Sequence, residues 1–233
     1  MIGVLVNTLT VLVGSSIGLI AKKVIPENWT DFIMKGLGLC VIYIGMDGAF
    51  QGENTLVMII SMVIGAIIGV ALNLDGHLNS FAQRLESRFK KDGEKVSIAE
   101  GFVTASLMFC VGAMTIVGSL DAGLTGDNTM LYTKATLDFI SSIIFAASLG
   151  FGVMLSAVFV LVFQGAIVLL AGAIAPVLND AVIAEMTCVG SLLIMAIGLN
   201  MLEMTKLKVM NYMPAIILPI ALVPLFAWVS GLI

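Results

Sequence analysis

The sequence predicts an all-α, polytopic membrane protein of about eight transmembrane helices, forming a single transmembrane domain over residues 1–233. The chain is 60% hydrophobic and only 11% charged, with a mean hydropathy of +1.12. Apolar runs recur from end to end, each close to the roughly twenty residues that cross about 30 Å of hydrocarbon. A soluble domain is about 45–50% apolar and about 25% charged. The composition therefore excludes a soluble enzyme, a nucleic-acid-binding protein and a disulfide-rich secreted scaffold.

Eight of these apolar runs are predicted to cross the membrane as helices, because each is about long enough to do so. They cover residues 2–21, 33–50, 55–73, 97–119, 129–149, 150–175, 183–203 and 208–232. Only Gly150 and Gly152 separate the fifth run from the sixth, so the hydropathy pattern also allows seven spans.

The lysine and arginine residues decide the predicted orientation. Ten of the eleven lie in alternate loops, and cytoplasmic loops are the ones that carry an excess of these residues. The ten are Lys22, Lys23, Lys35, Arg84, Arg88, Lys90, Lys91, Lys95, Lys206 and Lys208. We therefore expect both termini outside. A seven-span count would break the alternation, which favours eight spans.

Residues 74–99 are the one sizeable polar segment and are predicted to lie on the cytoplasmic side. Leu78, Phe81, Leu85 and Phe89 recur there at a spacing of three or four. This pattern is typical of a short amphipathic helix on the inner membrane surface, with its basic residues toward anionic lipid. A solvated connector is the alternative interpretation.

Two stretches of the chain resemble each other. Residues 3–7, 11–13, 26–28 and 45 match residues 152–156, 160–162, 176–179 and 198 in order and residue type. The sixth span comes five spans after the first, and an odd difference reverses the direction of crossing, so spans one to three and six to eight would be inverted repeats. That plan recurs in secondary transporters, whose sites lie at the interface between the repeats. Membrane composition by itself is the other explanation of the match.

The residues that are costly to place in a membrane concentrate in and before the fifth span. Lys134 is the only basic residue outside the predicted cytoplasmic loops, and Asp138 follows one helical turn later, on the same helix face. Asp121 and Asp127 precede them in a glycine-rich segment containing Gly118, Gly123 and Gly126, where irregular backbone is expected. Ionisable groups at such depth are functional candidates by default.

Two interpretations of Lys134 and Asp138 compete. In the functional one, Asp138 lines a water-filled path and binds a cation or proton, while Lys134 tunes it or exchanges partners. In the structural one, the two residues form a permanent ion pair that fixes the register of the helix. The functional interpretation is favoured, because an isolated pair in lipid costs several kcal/mol.

Other polar residues inside spans are secondary candidates. Asn7, Gln164 and Asn200 lie within spans one, six and seven, where amides more often bind a neighbouring helix than a substrate. Asn7 and Asn200 gain weight because both belong to the proposed repeats. Glu100 and Glu185 are each expected to open a helix, where a carboxylate interacts favourably with the helix dipole.

Cysteine and glycine are interpreted as packing residues. Cys40, Cys110 and Cys188 lie in apolar runs and are expected to be buried. The lone histidine, His77, has no ligand cluster around it in the sequence, so no metal and no cofactor are expected. The small-residue sets are expected to pack helices within one subunit, with a homodimer seam as the alternative. These sets contain Gly14, Gly18, Gly36, Gly38, Gly65 and Gly69.

Several segments resemble an uncharacterised bacterial family known as domain of unknown function 554, the YdfK/YqgA group. The resemblance is carried by residues 3–7, 118–124 and 197–200 and by the Asp127, Lys134 and Asp138 segment. It extends over the whole chain and implies a multi-pass protein of the bacterial cytoplasmic membrane, of a kind usually described as a transport protein. It implies no settled substrate and no catalytic residues.

The expected function is transport of a small solute or ion, with coupling to a cation or proton. Asp138 and Lys134 form the charged centre of a site built from spans one, four, five and seven. A passive channel and a non-transporting scaffold or partner protein are the alternatives. An enzyme is not expected, since the sequence offers no nucleophile–base pair or metal cluster. The expected partners are the lipid bilayer and the solute or ion, without nucleic acid.

Overall fold

A computed structural model describes residues 1–22, 27–89 and 97–230, and this part of the chain is helical nearly throughout. Ten α-helices and one 3-10 helix follow one another, with no strand among the described residues. The α-helices are α1 (Ile2–Lys22), α2 (Glu27–Ala49), α3 (Thr55–Ala71), α4 (Leu74–Phe89), α5 (Ile98–Cys110), α6 (Ala113–Leu124), α7 (Thr129–Leu149), α8 (Phe151–Ile174), α9 (Asp180–Met201) and α10 (Pro219–Ser230). The 3-10 helix, Val209–Ile217, precedes α10.

The predicted class is confirmed: the chain is a polytopic helical membrane protein. In the described part, five helices are long and apolar enough to cross a membrane alone, namely α1, residues 32–49 of α2, α7, α8 and α9. Three bent pairs also have the necessary length and composition when each pair is taken as one span, which gives up to eight spans.

Two predicted spans are not continuous helices. The fourth span breaks between α5 and α6 with a bend of 61°, and the eighth breaks between the 3-10 helix and α10 with a bend of 46°. Gly112, with φ of +133°, lies at the first break. Pro219 follows the second break and cannot continue a ladder of backbone hydrogen bonds, because it has no N–H. Hydropathy alone does not reveal such breaks, since the apolar composition continues across them.

The boundary between the fifth and sixth spans lies at Gly150. This residue has φ of +79° and ψ of −153°, a conformation that residues with a side chain rarely adopt. The α7 helix therefore ends at Leu149 and α8 begins at Phe151 as a separate helix. Gly150 and Gly152 mark a real turn, which supports the eight-span count over seven.

The chain divides into two compact units. The first contains residues 1–36, 77–110 and 114–173, and so includes α1, α5, α7 and α8 with most of α6. The second contains residues 37–76, 111–113 and 174–233, and so includes most of α2, α3, α9, the 3-10 helix and α10. Each unit draws helices from both of the predicted repeats.

In the first unit, α1 and α7 lie side by side and run in the same direction. Gly14 faces the Ser142 hydroxyl and the Phe139 carbonyl, and one turn later Gly18 faces the Ile143 carbonyl. A Cβ atom at Gly14 would lie 2.6 Å from the Phe139 carbonyl oxygen, so only glycine permits this approach. Parallel helices require an odd number of crossings between them. The spans formed by α2, α3 and the α5–α6 pair supply three.

In the second unit, the close helix pairs are antiparallel. Along α2, Gly38 meets Gly198 while Gly45 meets Met195, so the two chains advance in opposite directions. Along α3, Gly65 meets Ala215 and Gly69 meets the Asn211 backbone in the 3-10 helix. Five of the six glycines in the predicted small-residue sets therefore pack helices inside the subunit. The exception is Gly36, which has no neighbour within 4 Å of the place where a Cβ would stand.

The helix pairing bears on the predicted inverted repeats. Spans one and six are linked by a hydrogen bond between Asn7 and Gln164. Spans two and seven pack antiparallel, and so do spans three and eight. A two-fold axis in the membrane plane pairs corresponding spans in this way. The repeat stays a prediction, and the pairing agrees with it.

The predicted cytoplasmic segment begins with α4. Leu78 packs against a small core of Ile98 and Ala99 at the start of α5. The side chains of Phe81, Leu85 and Phe89 lie outside the described part of the structure, and so do Lys90, Lys91 and Lys95. The amphipathic pattern of the helix therefore stays a prediction.

Many large apolar side chains point away from the protein interior, as expected for surfaces in contact with lipid. On α1 they are Leu5, Leu9, Val13, Ile17 and Ile20. Cys40 on α2 is also exposed, contrary to the expectation that all three cysteines are buried, whereas Cys110 and Cys188 are buried. An apolar run cannot distinguish a lipid-facing cysteine from a packed one, because both environments are apolar.

Candidate functional site

The centre of the candidate site is a buried ion pair on α7. The Lys134 Nζ atom donates hydrogen bonds to both carboxylate oxygens of Asp138, at 2.8 and 2.6 Å. The two residues are only 6% and 5% exposed, so they face protein rather than lipid. The spacing of four residues in a helix made this contact predictable from the sequence. The expected ion pair is therefore present.

Two amides from other helices extend the pair into a network. The Asn7 Nδ2 atom donates to the Asp138 Oδ2 at 3.0 Å and to the Gln164 Oε1 at 3.3 Å. Both amides are completely buried. The side chains Asn7, Lys134, Asp138 and Gln164 thus form one cluster contributed by α1, α7 and α8.

The cluster retains unused hydrogen-bonding capacity. Neither the Asn7 Oδ1 nor the Gln164 Nε2 has a partner among the described residues, although both atoms are buried. Buried polar groups are nearly always hydrogen-bonded, so unpartnered ones call for an explanation. Within the same unit, four buried hydroxyls also have no partner in the described part: Ser15, Ser106, Ser119 and Ser148. These groups could hydrogen-bond to water or to a solute in the interior of the unit.

The break in the fourth span lies against α7, the helix that carries the ion pair. Cys110 is the last residue of α5, directly before the break. The Thr115 hydroxyl in α6 donates to the Phe109 carbonyl across the break, at 3.1 Å, which satisfies one carbonyl that the break frees. Phe109 also packs against Phe145 of α7, with ring centroids 6.2 Å apart. Non-helical backbone at membrane depth is tolerated only where protein or a water-filled cavity surrounds it.

Asn128 fixes the start of α1 against the turn before α7. Its Oδ1 accepts from the Gly3 backbone N–H at 2.9 Å, and its Nδ2 donates to the Gly126 carbonyl at 2.8 Å. This anchor sets the register in which Asn7 reaches Asp138. This contact is not predictable from the sequence, since nothing local to an asparagine in a turn indicates a contact 125 residues away.

Asp127 and Asp121 lie outside the cluster. The Asp127 carboxylate accepts from the Thr129 backbone N–H at 2.9 Å and from the Thr129 hydroxyl at 2.7 Å, so it caps α7. These two hydrogen bonds hold the pKa of the Asp127 carboxyl below its usual value. Asp121 is half-buried in α6, and its backbone carbonyl accepts from Thr125. Of the three glycines where irregular backbone was expected, Gly126 has a positive φ, whereas Gly118 and Gly123 lie within α6. Gly112, which also has a positive φ, was not predicted.

Asn200 organises its own loop. Its Oδ1 accepts from the Thr205 hydroxyl at 2.6 Å and from the Leu207 backbone N–H at 2.9 Å, and its Nδ2 donates to the Leu207 carbonyl. The amide is therefore fully used in the loop after α9, in the second unit. The cluster is built from spans one, five and six. Spans four and seven were also expected to contribute, but none of the four residues of the cluster comes from them.

The two glutamates expected at helix starts differ. Glu100 lies in the first turn of α5 as predicted. Glu185 does not open its helix, because α9 begins five residues earlier at Asp180. Its carboxylate is buried and accepts from backbone N–H groups at the start of α3.

The cluster is suited to binding and releasing a proton or small cation. A carboxylate held by a lysine and an amide can exchange the lysine for another positive partner, at a cost, because the displaced ammonium then lacks a charged partner. Among the described residues, no group of three histidine, cysteine, aspartate or glutamate side chains is placed to hold a metal ion.

The comparisons with known proteins agree with the membrane class. The profile of the family described as "Protein of unknown function (DUF554)" matches residues 2–224. The chain is 34% identical over 223 residues to the "Uncharacterized membrane protein YdfK" of Bacillus subtilis (strain 168), covering 94% of each chain. It is 29% identical over 224 residues to the "Uncharacterized protein YqgA" of Escherichia coli (strain K12), covering 95% of each. No solved structure matches the chain significantly.

Proposed function

The chain belongs to the DUF554 family of proteins of unknown function, and for this member we propose transport of a small solute or ion across the bacterial cytoplasmic membrane. Transport is coupled to a proton or cation that binds at Asp138. The observation that carries the proposal is the buried network of Lys134, Asp138, Asn7 and Gln164. Ionisable residues inside a membrane mark solute and ion pathways, because placing them there is costly.

Each residue of the network has a distinct role in this proposal. Asp138 binds the coupling proton or cation, and Lys134 occupies the carboxylate when that partner is absent. Asn7 holds the carboxylate through its Nδ2 atom, and its open Oδ1 accepts the displaced lysine. Gln164 orients the Asn7 amide and offers its open Nε2 to the solute. Displacing Lys134 separates its charge from the carboxylate, which costs up to about 3–5 kcal/mol and must be offset by the binding of the coupling ion and the solute.

The broken fourth span supports the same proposal. Substrate and ion sites in secondary transporters are typically formed by discontinuous helices near the midplane. Phe109, next to the break, packs against Phe145 of α7, the helix that carries the ion pair, in a region rich in buried hydroxyls. The break in the fourth span, the network, and the antiparallel pairing of spans two and seven and of spans three and eight together favour a transporter over a packed scaffold.

The proposal includes an orientation. Ten of the eleven basic residues lie in segments that we place in the cytoplasm or in the helix ends next to them, so both termini are outside. The ion pair then lies in a span that runs inward, about one and a half to two and a half helical turns from the outer end of α7. In this proposal the protein moves its solute across the membrane and catalyses no reaction.

Proteoliposomes containing the purified protein and the internal pH dye pyranine test the proposal. A panel of small solutes is added outside, with and without an imposed sodium gradient, and internal pH and solute uptake are measured. We expect at least one solute to enter with a coupled proton or sodium ion. Asp138→Asn should abolish the coupling, whereas Glu203→Gln, which alters an exposed loop carboxylate, should not.

The double variant Lys134→Met with Asp138→Leu separates function from structure. It removes both charges, so it should fold while transporting nothing. Full transport by this variant would contradict the role of the pair. Ion flow that follows its gradient without any solute would indicate a passive channel, and no flux under any gradient would indicate a scaffold or partner protein.

A further inference from the structure

A second polar site lies in the second unit, at the ends where α3 and α9 begin. A cavity of about 360 Å³ is lined there by the loop before α3, the first turns of α9 and the last turns of α10. Its lining residues include Glu53, Asn54, Val57, Glu185, Val223 and Phe226. The volume falls in the range of small-molecule sites, which is about 300–1,000 Å³.

Glu185 is the unusual residue of this cavity. The side chain is only 3% exposed, and its Oε1 accepts from the backbone N–H groups of Glu53 and Asn54 at 2.7 and 2.6 Å. Its Oε2 is buried. Two backbone amides hold one oxygen of the carboxylate in place, and the other oxygen has no hydrogen-bond partner among the described residues.

The charges of the lining favour a cationic ligand. Glu53 and Glu185 both line the cavity, and no lysine, arginine or histidine is among the described residues that do. A buried carboxylate is normally paired, because removing an unpaired charge from water costs several kcal/mol. A positively charged ligand would supply the pairing that the protein does not.

The remaining lining distinguishes an organic cation from a metal ion. Val57, Val223 and Phe226 make much of the wall apolar, and the cavity is far larger than one ion. Calcium and magnesium require about six oxygen ligands, and two carboxylates with one amide provide few. An alkylammonium group instead suits a site with carboxylates at one end and an aromatic ring at the wall.

We propose that the Glu185 cavity binds an organic ammonium group, with the Glu185 Oε2 and the Glu53 carboxylate facing the positive charge and the apolar wall contacting its alkyl part. The site differs from the Lys134–Asp138 network in residues and in unit, so it does not depend on the transport proposal. The ammonium group belongs either to a free amine or to the headgroup of a phospholipid.

Thermal unfolding of the full-length protein in detergent tests the proposal, with tetramethylammonium and ethanolammonium chloride as probes. Sodium chloride at the same ionic strength is the reference. A ligand that binds the folded state raises the unfolding temperature by mass action. We expect saturable stabilisation by at least one ammonium salt, beyond that given by sodium chloride.

Glu185→Gln keeps an oxygen that can accept both backbone N–H groups but removes the charge. We expect it to weaken ammonium binding at least about tenfold, corresponding to about 1.4 kcal/mol. Asp180→Asn, a neighbouring exposed carboxylate outside the cavity lining, is the matched control and should change binding less than about twofold. If Glu185→Gln does not fold, Val223→Phe provides the test, because it fills the cavity and leaves both carboxylates in place.

The outcomes distinguish a lipid headgroup from a free amine as the source of the ammonium group, and two of them would contradict the proposal. Stabilisation by phosphatidylethanolamine vesicles, and not by phosphatidylglycerol vesicles or free amines, would identify a lipid headgroup. Stabilisation by free amines would identify a soluble ligand. Equal stabilisation by sodium chloride, or unchanged binding in Glu185→Gln and Val223→Phe, would overturn the proposal. Asp138→Asn should retain ammonium binding, because Asp138 lies outside this cavity. The transport proposal and the ammonium proposal can therefore fail independently.

Discussion

At the scale of single residues, Lys134 and Asp138 depend on each other. The pair is buried among helices, and each charge has the other as its principal partner. Replacing both by apolar residues removes the charges together, whereas replacing one leaves the other stranded. Comparing the single and double variants therefore measures how much the ion pair contributes to the free energy of unfolding, independently of transport.

Lys134→Met should destabilise the protein by about 3–5 kcal/mol, because Asp138 is left as an unpaired buried carboxylate. Adding Asp138→Leu should recover most of that loss. The free energy of unfolding of purified protein in mixed micelles is the measurement. Lys206→Met, in an exposed loop, is the control and should change stability by less than about 1 kcal/mol. A single variant as stable as the control would mean that the pair is not isolated from water.

At the scale of helices, the pairing of α1 with α7 positions the network. Asn7 comes from α1 and Asp138 from α7, and the two meet only because glycines allow the backbones to approach. The hydrogen bond between Asn128 and Gly3 fixes the register of α1 against α7. A change that separates the helices should therefore affect both stability and the network.

Gly14→Ala and Gly18→Ala test this helix pairing. A Cβ at either position would collide with the α7 backbone, so we expect a loss of about 1–3 kcal/mol in stability for each variant. Gly36→Ala is the matched control, since nothing lies within 4 Å of its Cβ position. Alanine favours a helix over glycine by about 1 kcal/mol, so the control should be neutral or stabilising. Equal effects at Gly18 and Gly36 would argue against close packing of α1 on α7.

At the scale of the whole molecule, helix direction and charge distribution lead to the same topology. The α1 and α7 helices are parallel, as the first and fifth of eight alternating spans must be. The α3 helix and the 3-10 helix are antiparallel, as the third and eighth must be. The basic residues independently fall in alternate loops. Two unrelated properties of the chain thus agree on the number of crossings.

Cysteine labelling in intact cells tests the orientation. In a background without native cysteines, Thr125→Cys should react with a membrane-impermeant maleimide from outside. Ser80→Cys should react only after the membrane is permeabilised, because we place its loop in the cytoplasm. Both positions are exposed in the structure, so differences in burial do not determine the result. Labelling of Ser80→Cys in intact cells would reverse the topology.

Much of the fold was predictable from the sequence because its causes are local. The start and end of α7 match the prediction, and those of α1 and α8 differ from it by only one residue. Hydropathy determines such spans, since each backbone group in lipid must be satisfied within its own helix. The contact between Lys134 and Asp138 is also local, because residues four apart share a helix face.

What the tertiary structure decided depends on contacts between distant segments. Asn7 and Asn200 look equivalent in the sequence, yet Asn7 reaches a carboxylate 131 residues away while Asn200 binds its own loop. The unpartnered oxygen of Glu185 depends likewise on where α3 begins beside α9. Hydropathy and helical periodicity determine which residues can be buried together. Which of them meet is decided by helix packing, and glycines such as Gly14 and Gly18 set how closely the helices approach.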